Sequence, residues 1–171
     1  MAGSFDYDLI VIGSGPSGRR AAVQASKFGR SVLIIDRRGR LGGVSVHTGT
    51  IPSKTLRETV LNLTGWRERG IYGINYRVKQ DIGAQDLDMR LGKTLQDEVD
   101  ILEHQFLRNG ITVEYGDDRF VDAHTVEIES EDKNRRMVSE KAIVVAVGSV
   151  PHRTKNIRFN GKRVIVSDGM V

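Results

Sequence analysis

The sequence contains no cysteine, and this absence removes several classes of site before any motif is considered. Without thiols the chain cannot form disulfides, bind a metal through thiolates, or use a cysteine nucleophile. It also has no apolar run approaching the ~20 residues that a transmembrane helix needs. Residues 1–8 carry two acids and no basic segment, so they lack the pattern of a secretory signal. These absences favour a cytoplasmic protein that does not enter a membrane.

The composition and charge indicate a globular protein. The chain has 171 residues, of which 39% are hydrophobic and 28% are charged, which is enough apolar material for a core. The net charge is +4, but the basic residues are spread out and form no long run interleaved with aromatic residues. We therefore predict no nucleic-acid binding and interpret most of these cations as solvated surface charge.

The most informative stretch lies near the N-terminus and reads Asp-Leu-Ile-Val-Ile-Gly-Ser-Gly-Pro-Ser-Gly. The apolar run Leu9–Ile12 predicts a strand buried on both faces, and the alanine-rich residues 19–28 predict a helix. Between them, Gly13, Gly15 and Gly18 have the G-x-G-x-x-G spacing of a dinucleotide-binding turn. In such a turn the glycines permit the bend, the approach of a pyrophosphate and close helix packing, respectively. The helix N-terminus then offers N–H groups and a positive dipole end to the phosphates.

A second predicted strand, residues 31–35, is followed by Asp36, which stands 18 residues after Gly18. An acid at about this distance in a dinucleotide-binding unit accepts hydrogen bonds from both hydroxyls of the adenosine ribose. Arg37 and Arg38 come next and could reach an adenine face or a phosphate. The alternative is an ordinary βαβ unit whose second strand ends in an acid by chance. The order of strand, glycines, helix, strand and acid favours the dinucleotide site.

Two longer helices are predicted downstream of a glycine-rich, irregular loop at residues 39–49. The first helix runs from about 52 to 69, and Gly70 would end it. Its apolar face consists of Leu56, Val60 and Leu63. The second runs from about 85 to 109, and its apolar residues recur at the spacing of a packed helix face: Leu91, Leu95, Val99, Leu102 and Phe106.

The remaining pattern predicts more strands. Residues 111–115 and 141–147 have the composition of buried parallel strands, and 163–166 is a candidate for one more. Three short segments with polar turns predict a small antiparallel meander: 119–122, 125–129 and 136–139. The prediction is an α/β, Rossmann-like domain with a parallel sheet, flanking helices and a small antiparallel β-meander.

Residues 42–54 read Gly-Gly-Val-Ser-Val-His-Thr-Gly-Thr-Ile-Pro-Ser-Lys and lead from a loop into a helix N-terminus. Such a segment can approach a flat ligand closely through its backbone. Lys54 falls in the first turn of that helix, where a cation is unfavourable for the helix dipole. A partner other than the helix would explain this placement, but the residues alone favour an ordinary solvated lysine.

This loop resembles that of the flavin-dependent pyridine nucleotide–disulfide oxidoreductases, which reads G-G-x-C-x-x-x-x-C-I-P-S-K. The glycines, the spacing and Ile-Pro-Ser-Lys match, but the two cysteine positions hold Ser45 and Thr50. Neither residue can form the redox disulfide of that family. The sequence His-Thr-Gly-Thr-Ile-Pro-Ser-Lys is similar instead to the cysteine-free branch of soluble pyridine nucleotide transhydrogenases. Motifs similar to that branch recur in order from Tyr7 to Asp168.

The resemblance implies FAD as cofactor and assigns roles to particular residues. Asp36 would hold the adenosine ribose, and Asp118 would offer its backbone to adenine. Thr50 would lie against the isoalloxazine, and Lys54 would lie near flavin N5, where its charge stabilises reduced flavin; these two are the implied catalytic residues. Val147 replaces the threonine of the family's A-T-G turn. The full set implied to bind the cofactor is Gly13, Gly15, Pro16, Ser17, Gly18, Asp36, Arg37, Gly42, Gly43, Val44, Thr50, Lys54, Asp118, Ala146, Val147 and Gly148.

The resemblance also implies a reaction in which one nicotinamide dinucleotide delivers hydride to FAD and a second takes it away. NADPH and NAD would be the substrates, and the reaction needs no metal site. No second G-x-G-x-x-G occurs, so residues 1–171 are expected to be the N-terminal portion of an FAD-binding domain. Nicotinamide-binding and dimerisation domains would belong to a full-length homodimer, and this chain alone would be inactive.

Two other functions remain open from the sequence. One is a non-catalytic FAD- or NAD-binding module, which a preference for NAD over FAD would indicate. The other is a different cysteine-free flavin oxidoreductase, which peroxide formation from NADPH under air would reveal. Because this fold supports many functions, the functional prediction depends on the loop motif rather than on topology.

Overall fold

The computed structural model describes residues 5–169, and its architecture is α/β, as the sequence predicts. The described residues form two compact units, one made of 5–44 and 99–150 and the other of 45–98 and 151–169. Within this part of the chain, no helix is both long enough and apolar enough to cross a membrane.

The helices and strands fall close to their predicted positions. The strands are β1 (Leu9–Ile12), β2 (Val32–Asp36), β3 (Thr112–Tyr115), β4 (Asp117–Asp122), β5 (Thr125–Glu129), β6 (Arg135–Ser139) and β7 (Ile143–Val145). The helices are α1 (Pro16–Lys27), α2 (Gly43–His47), α3 (Thr50–Leu63), α4 (Arg69–Tyr72) and α5 (Ala84–Arg108), with 3₁₀ turns at Trp66–Glu68 and Ser167–Gly169.

The first unit is built on a parallel sheet with the strand order β3-β2-β1-β7. The central strands β1 and β2 pair in register from Leu9 opposite Val32 to Ile12 opposite Ile35. All five residues of β2 are buried, because neighbours cover both its edges and both its faces. Helix α1 packs against β1 and β2. This arrangement confirms the predicted parallel sheet, whereas the predicted burial of 111–115 was wrong for β3, which lies at an edge of the sheet and is exposed or half-buried.

The antiparallel meander β4-β5-β6 supplies a second layer of the same unit. One face of the parallel sheet presents Ile10, Ile12, Leu33 and Ile35, which alternate along β1 and β2 as a two-residue period requires. These residues form one core cluster with Val126, Ile128 and Val138 of the meander. The predicted meander is therefore confirmed, and it closes one side of the core.

Strand β7 is shorter and more exposed than its apolar sequence predicts. Only Ile143–Val145 form the strand, and the side chain of Val145 is 60% exposed. In the described structure β7 pairs only with β1, so it lies at an edge of the sheet rather than inside it. The prediction of a fully buried strand over 141–147 was wrong for this reason.

The structure also differs from the predictions at the start of α1, in the loop at 39–49 and at residues 163–166. Helix α1 begins at Pro16 rather than at residue 19, because proline suits the first helical position. The predicted loop at 39–49 contains α2, since the two glycines at its start make the required turn with positive φ. Residues 163–166 form no strand, because the side chain of Asn160 accepts hydrogen bonds from the amides of residues 162–164 and holds a local turn.

In the second unit, the helix predicted over about 52–69 corresponds to α3 followed by the 3₁₀ turn Trp66–Glu68. The helix ends at Leu63 because Gly65 adopts a left-handed conformation with φ of 64°. Gly70, predicted to end the helix, lies inside α4. The predicted apolar face is also incomplete, since Val60 is 40% exposed while Thr59 is buried.

Helix α5 follows its prediction to within one residue at each end. Of its apolar stripe, Leu91, Leu102 and Phe106 are buried. Its residues 84–98 belong to the second unit and its later residues to the first. The stripe is thus a packing face, as its spacing predicts.

Candidate dinucleotide-binding site

The carboxyl ends of three parallel strands meet in the first unit. The amide of Gly13, just after β1, donates to the carbonyl of Ile35 at 2.8 Å, and the amide of Ala146, just after β7, donates to that of Ile12 at 2.8 Å. Ligands of open parallel sheets bind at this edge, in a crevice where neighbouring connections diverge. The predicted residues that follow β1, β2 and β7 are therefore neighbours.

Two of the three fingerprint glycines are required by the protein's own packing. Gly13 has φ of 100°, and a Cβ there would overlap the carbonyl oxygen of Ala146. A Cβ on Gly18 would overlap the carbonyl oxygen of Gly13 and approach Val11 Cγ1 to 3.1 Å. Helix α1 can therefore pack this closely against β1 only if residue 18 has no side chain.

Gly15 differs, because neither its backbone conformation nor its packing requires glycine. Its φ is −62° and its ψ is 178°, which any residue adopts, and a Cβ there would meet nothing within 4 Å. It is the N-cap of α1, and no side chain of the described residues caps this helix. Pro16 stands at the first helical position, and the first turn contains no acid. The amides of Ser17 and Gly18 thus lie in the first turn of a helix that no side chain caps. No acid in that turn neutralises the positive end of the helix dipole.

The turn that follows β2 comes back against this helix N-terminus. Gly42 and Gly43 have φ of 107° and 59°, so the backbone requires glycine at both positions. A Cβ on Gly43 would lie 3.1 Å from Cα of Gly15, which shows that the two backbones run side by side. Val44 follows within α2 and is half-buried. Two glycine turns therefore present adjacent stretches of backbone, which we call the cleft wall because the dinucleotide predicted from the sequence would lie against them.

Asp36 ends β2 and is 8% exposed. Its Oδ2 accepts hydrogen bonds from the amide of Ser14, at 2.9 Å, and from the Ser14 hydroxyl. Its Oδ1 accepts one from the amide of Arg38 at 2.9 Å. Three hydrogen bonds from the chain itself thus hold the carboxylate. Its predicted contact with a ribose remains a prediction.

The neighbourhood of Asp36 includes the start of the meander. The amide of Gly116 donates to the carbonyl of Asp36 at 3.2 Å, and Arg37 Nε lies 3.9 Å from Asp117 Oδ1. Burial raises the pKa of the Asp118 carboxyl, and the nearby negative charge of Asp117 adds to this effect. Asp118 is therefore a half-buried acid, and its contact with adenine remains a prediction.

The turn after β7 contributes backbone rather than polar side chains. Ala146 is half-buried against Gly13, whereas Val147 is 69% exposed and Gly148 has φ of 72°. This turn has no side-chain hydroxyl at residue 147. Any hydrogen bonds that residues 146–148 make to the predicted cofactor therefore have to come from main-chain atoms.

Thr50 and Lys54 belong to the second unit, at the N-terminus of α3. Both are exposed, and Lys54 has no ion pair with any residue from 5 to 169. In the preceding turn, the hydroxyl of Thr48 is buried and has no hydrogen-bond partner in this part of the chain. These features stand in the segment where the sequence predicts the flavin ring. Their roles remain predictions.

Sequence reasoning assigned no role to Ser14 or to Gly116. Ser14 is only 1% exposed, and its hydroxyl also accepts a hydrogen bond from the amide of Gly42 at 3.0 Å. A Cβ on Gly116 would meet the carbonyl oxygen of Glu129 at 2.6 Å. The variable position between the first two fingerprint glycines gives no sign of such a role, whereas a glycine directly after a predicted strand was a usable signal for Gly116.

Comparisons with known proteins show the family of this chain. Residues 7–168 match the family described as pyridine nucleotide-disulphide oxidoreductase. A soluble pyridine nucleotide transhydrogenase of Mycobacterium bovis is 44% identical over 97% of this chain, and that of Colwellia psychrerythraea is 37% identical over all of it. In both cases the chain spans 36% of the relative's length.

Solved structures share the fold. LpdA from Mycobacterium tuberculosis superposes with a TM-score of 0.80 over 95% of this chain and 36% of its own, at 24% identity. The flavoprotein disulfide reductase RclA from Escherichia coli gives 0.67 over 87% of this chain and 30% of its own, at 19% identity. The family match, the parallel sheet and the glycine turns at its carboxyl edge lead to one conclusion: the chain belongs to the pyridine nucleotide-disulphide oxidoreductase family.

Proposed function

We propose that this chain binds FAD and forms the flavin-binding part of an enzyme that transfers hydride between NADPH and NAD. The family and the transhydrogenases at 44% and 37% identity support this proposal. The absence of cysteine supports it further, because a disulfide reductase of this family needs a thiol pair that Ser45 and Thr50 cannot replace. Among the family's reactions, hydride exchange through flavin alone needs no thiol.

The observation that carries the proposal is a glycine at position 15, where a side chain would fit. The fold itself does not require glycine there, and the position faces open space at the uncapped N-terminus of α1. A pyrophosphate satisfies both features, since it needs close backbone approach and unpaired amides. The cleft wall of Gly42 and Gly43 runs beside it. The residues present therefore fit the ADP half of a dinucleotide.

The flavin half of the proposal rests on the segment around α3. The buried hydroxyl of Thr48 has no partner among residues 5–169, so it is available to a polar atom of a bound group. The cation of Lys54 is equally unpaired within those residues. We assign Thr50 to contact with the ring and Lys54 to charge stabilisation beside it. FAD, when bound, supplies the redox chemistry by accepting and returning hydride.

The chain's own residues would bind and orient rather than react. Amides of Ser17 and Gly18 would hold the pyrophosphate, Asp36 the ribose, and the backbone at Asp118 the adenine. Arg37 and the main chain of residues 146–148 would complete this end. Because the chain spans 36% of its relatives, the proposal assigns nicotinamide binding and dimerisation to regions outside the match. It follows that residues 1–171 alone should bind FAD without catalysing hydride exchange.

The test is a titration of the 171-residue chain with FAD and with NAD, together with Gly15→Ala. We expect FAD to bind more tightly than NAD, and Gly15→Ala to weaken FAD binding by at least tenfold at an unchanged unfolding temperature. An unaffected melt would show that the fold tolerates the methyl group while the ligand does not. Tighter binding of NAD, or equal FAD affinity in both chains, would contradict the proposal. Steady NADPH-to-NAD exchange by the chain alone would contradict the predicted inactivity.

A further inference from the structure

The hydroxyl of Ser14 connects three segments of the proposed site. It donates to Asp36 Oδ2 at the end of β2, and it accepts from the amide of Gly42 at 3.0 Å. Ser14 itself stands in the turn after β1 and is 1% exposed. One buried hydroxyl therefore links the fingerprint turn, the acid and the second glycine turn. No other described side chain makes both of these contacts.

These hydrogen bonds limit what Asp36 can still accept. A carboxylate has about four acceptor positions, two on each oxygen. The amide and hydroxyl of Ser14 occupy both positions of Oδ2, and the amide of Arg38 occupies one of Oδ1. A single position on Oδ1 remains. In this arrangement Asp36 can accept a hydrogen bond from one ribose hydroxyl but not from both.

Resting on the proposed function, we infer that Ser14 is a positioning residue for the dinucleotide. Its hydroxyl holds the amide of Gly42 at a set distance from Asp36, and this places the Gly42–Gly43 turn against Gly15. A Cβ position on Gly43 lies only 3.1 Å from Gly15 Cα, so a small shift of this turn changes the width of the cleft. The affinity for the ADP half therefore depends on Ser14, which need not touch the ligand.

Removing the hydroxyl has a defined consequence. In Ser14→Ala the amide of Gly42 loses its partner in a buried position, and Oδ2 of Asp36 loses one of two donors. A buried unpaired N–H is unfavourable, so the Gly42 turn moves until water or another acceptor reaches it. That movement alters the wall beside the pyrophosphate.

The chain contains a matched control at the opposite end of the same strands. There the hydroxyl of Ser31 pairs with Asp8, whose amide donates back to Ser31 Oγ at 2.8 Å. Ser31 is exposed and lies outside the proposed site. Ser31→Ala therefore breaks a serine–aspartate pair of the same two strands without touching the cleft.

The experiment measures dissociation constants of the 171-residue chain for ADP and for FAD, with melts in the absence of ligand. We expect Ser14→Ala to weaken both ligands by the same factor, at least tenfold, because only their shared ADP half meets this wall. Ser14→Thr, which keeps the hydroxyl, should restore affinity to within about threefold of wild type. Ser31→Ala should stay within twofold.

A purely structural role predicts a different result. Ser14→Ala would then melt at a lower temperature but bind ADP within twofold of wild type well below its transition, and this result would overturn the inference. Equal losses in Ser14→Ala and Ser31→Ala would also overturn it. If Ser14→Ala gives no cooperative melt, Ser14→Gly replaces it, since this variant removes the hydroxyl and leaves no methyl group. We expect Ser14→Gly to weaken ADP and FAD binding by at least tenfold as well. A wild-type chain that binds neither ligand contradicts the proposed function, and with it this inference.

Discussion

Strands β1 and β2 are joined at both ends by a serine–aspartate pair, and the two pairs differ chiefly in burial. At the carboxyl end, Ser14 donates its amide and its hydroxyl to Asp36, and both residues are buried. At the amino end, Ser31 donates the same two groups to Asp8, at 3.1 and 3.3 Å. Here Ser31 is exposed, and Arg30 lies 3.9 Å from Asp8.

The comparison shows how one local motif takes on two roles. At the amino end, solvent can replace any hydrogen bond that is lost, so the pair does no more than join two strands. The amide of Ser31 lowers the pKa of Asp8, followed in effect by the Ser31 hydroxyl and the charges of Arg30 and Lys141. At the carboxyl end water is excluded, and the serine hydroxyl extends the pair to Gly42. Burial therefore accompanies an additional contact at this end, which links the pair to the Gly42 turn of the proposed site.

The largest effect is expected from Gly18→Ala at the carboxyl end. A Cβ there would overlap the backbone of Gly13, so α1 must move away from β1. We expect a loss of about 3 kcal/mol or more in unfolding free energy, together with loss of FAD binding. Urea unfolding measures the first quantity and a FAD titration the second.

Gly92→Ala is the matched control for that change. Gly92 lies in the interior of α5 on its exposed side, and a Cβ added there would meet no atom within 4 Å. Alanine there should raise the unfolding free energy by about 0.5–1 kcal/mol, since glycine is a poor helix former. Similar destabilisation by both substitutions would refute the special role of residue 18.

Replacing each aspartate by asparagine tests the comparison itself. Asp36→Asn turns one acceptor oxygen into an NH₂ group that faces buried donors, and we expect a loss of about 2–3 kcal/mol. Asp8→Asn at the exposed end should lower the melting temperature by no more than about 3 °C. Thermal melts of both variants, without ligand, decide the matter. Equal shifts would show that burial does not distinguish the two pairs.

Glu140 offers a pH-dependent prediction near the amino end of the sheet. It bridges to Tyr7, is completely buried, and neither carboxyl oxygen has a hydrogen-bond partner among residues 5–169. Burial raises the pKa of Glu140 above its ordinary 4.5; His124 opposes this shift and Asp122 adds to it. The folded chain thus keeps the proton to a higher pH than the unfolded chain does, and stability falls as pH rises from 4.5 through the raised pKa.

Glu140→Leu should therefore stabilise the protein at pH 7 by about 1–3 kcal/mol, since it removes an unpaired buried carboxylate. The gain should shrink as pH falls toward 4, where the wild-type carboxyl is protonated. Urea midpoints from pH 4 to 8 measure this difference, with Glu140→Gln as the neutral control of similar shape. A gain that is constant with pH would show that packing, not ionisation, is responsible.

The smallest effect is expected from Ser31→Ala. Because the pKa of Asp8 is lowered, its contribution to stability is present above its ordinary 3.8 and is lost as pH falls through the lowered value. Removing the serine hydroxyl should slightly reduce the loss of stability at low pH. At pH 7 it should change the melting temperature by less than about 2 °C. Melts at pH 3 and 7 test it. A large shift at pH 7 would mean that the exposed pair matters as much as the buried one.

Features that depend on neighbours along the chain were predictable. The unit β1-α1-β2, the meander and the span of α5 follow from local apolar periods and glycine spacing. Predictions failed where a residue's environment depends on distant segments. Val145 has the sequence of a buried strand but lies at a sheet edge, and α3 ends where Gly65 packs against Tyr76. No local pattern contains that information.

By itself, the sequence determined the chemistry available to this protein: no thiol, a dinucleotide fingerprint at Gly13, Gly15 and Gly18, and an acid after β2. These follow from residue type and spacing, which the chain carries before it folds. Only the tertiary structure decided that Ser14 occupies one oxygen of Asp36 completely, and that Glu140 is buried with no hydrogen-bond partner among residues 5–169. The reason is physical: burial and hydrogen-bond pairing are set by segments far apart in sequence, and they become defined only when the strands meet.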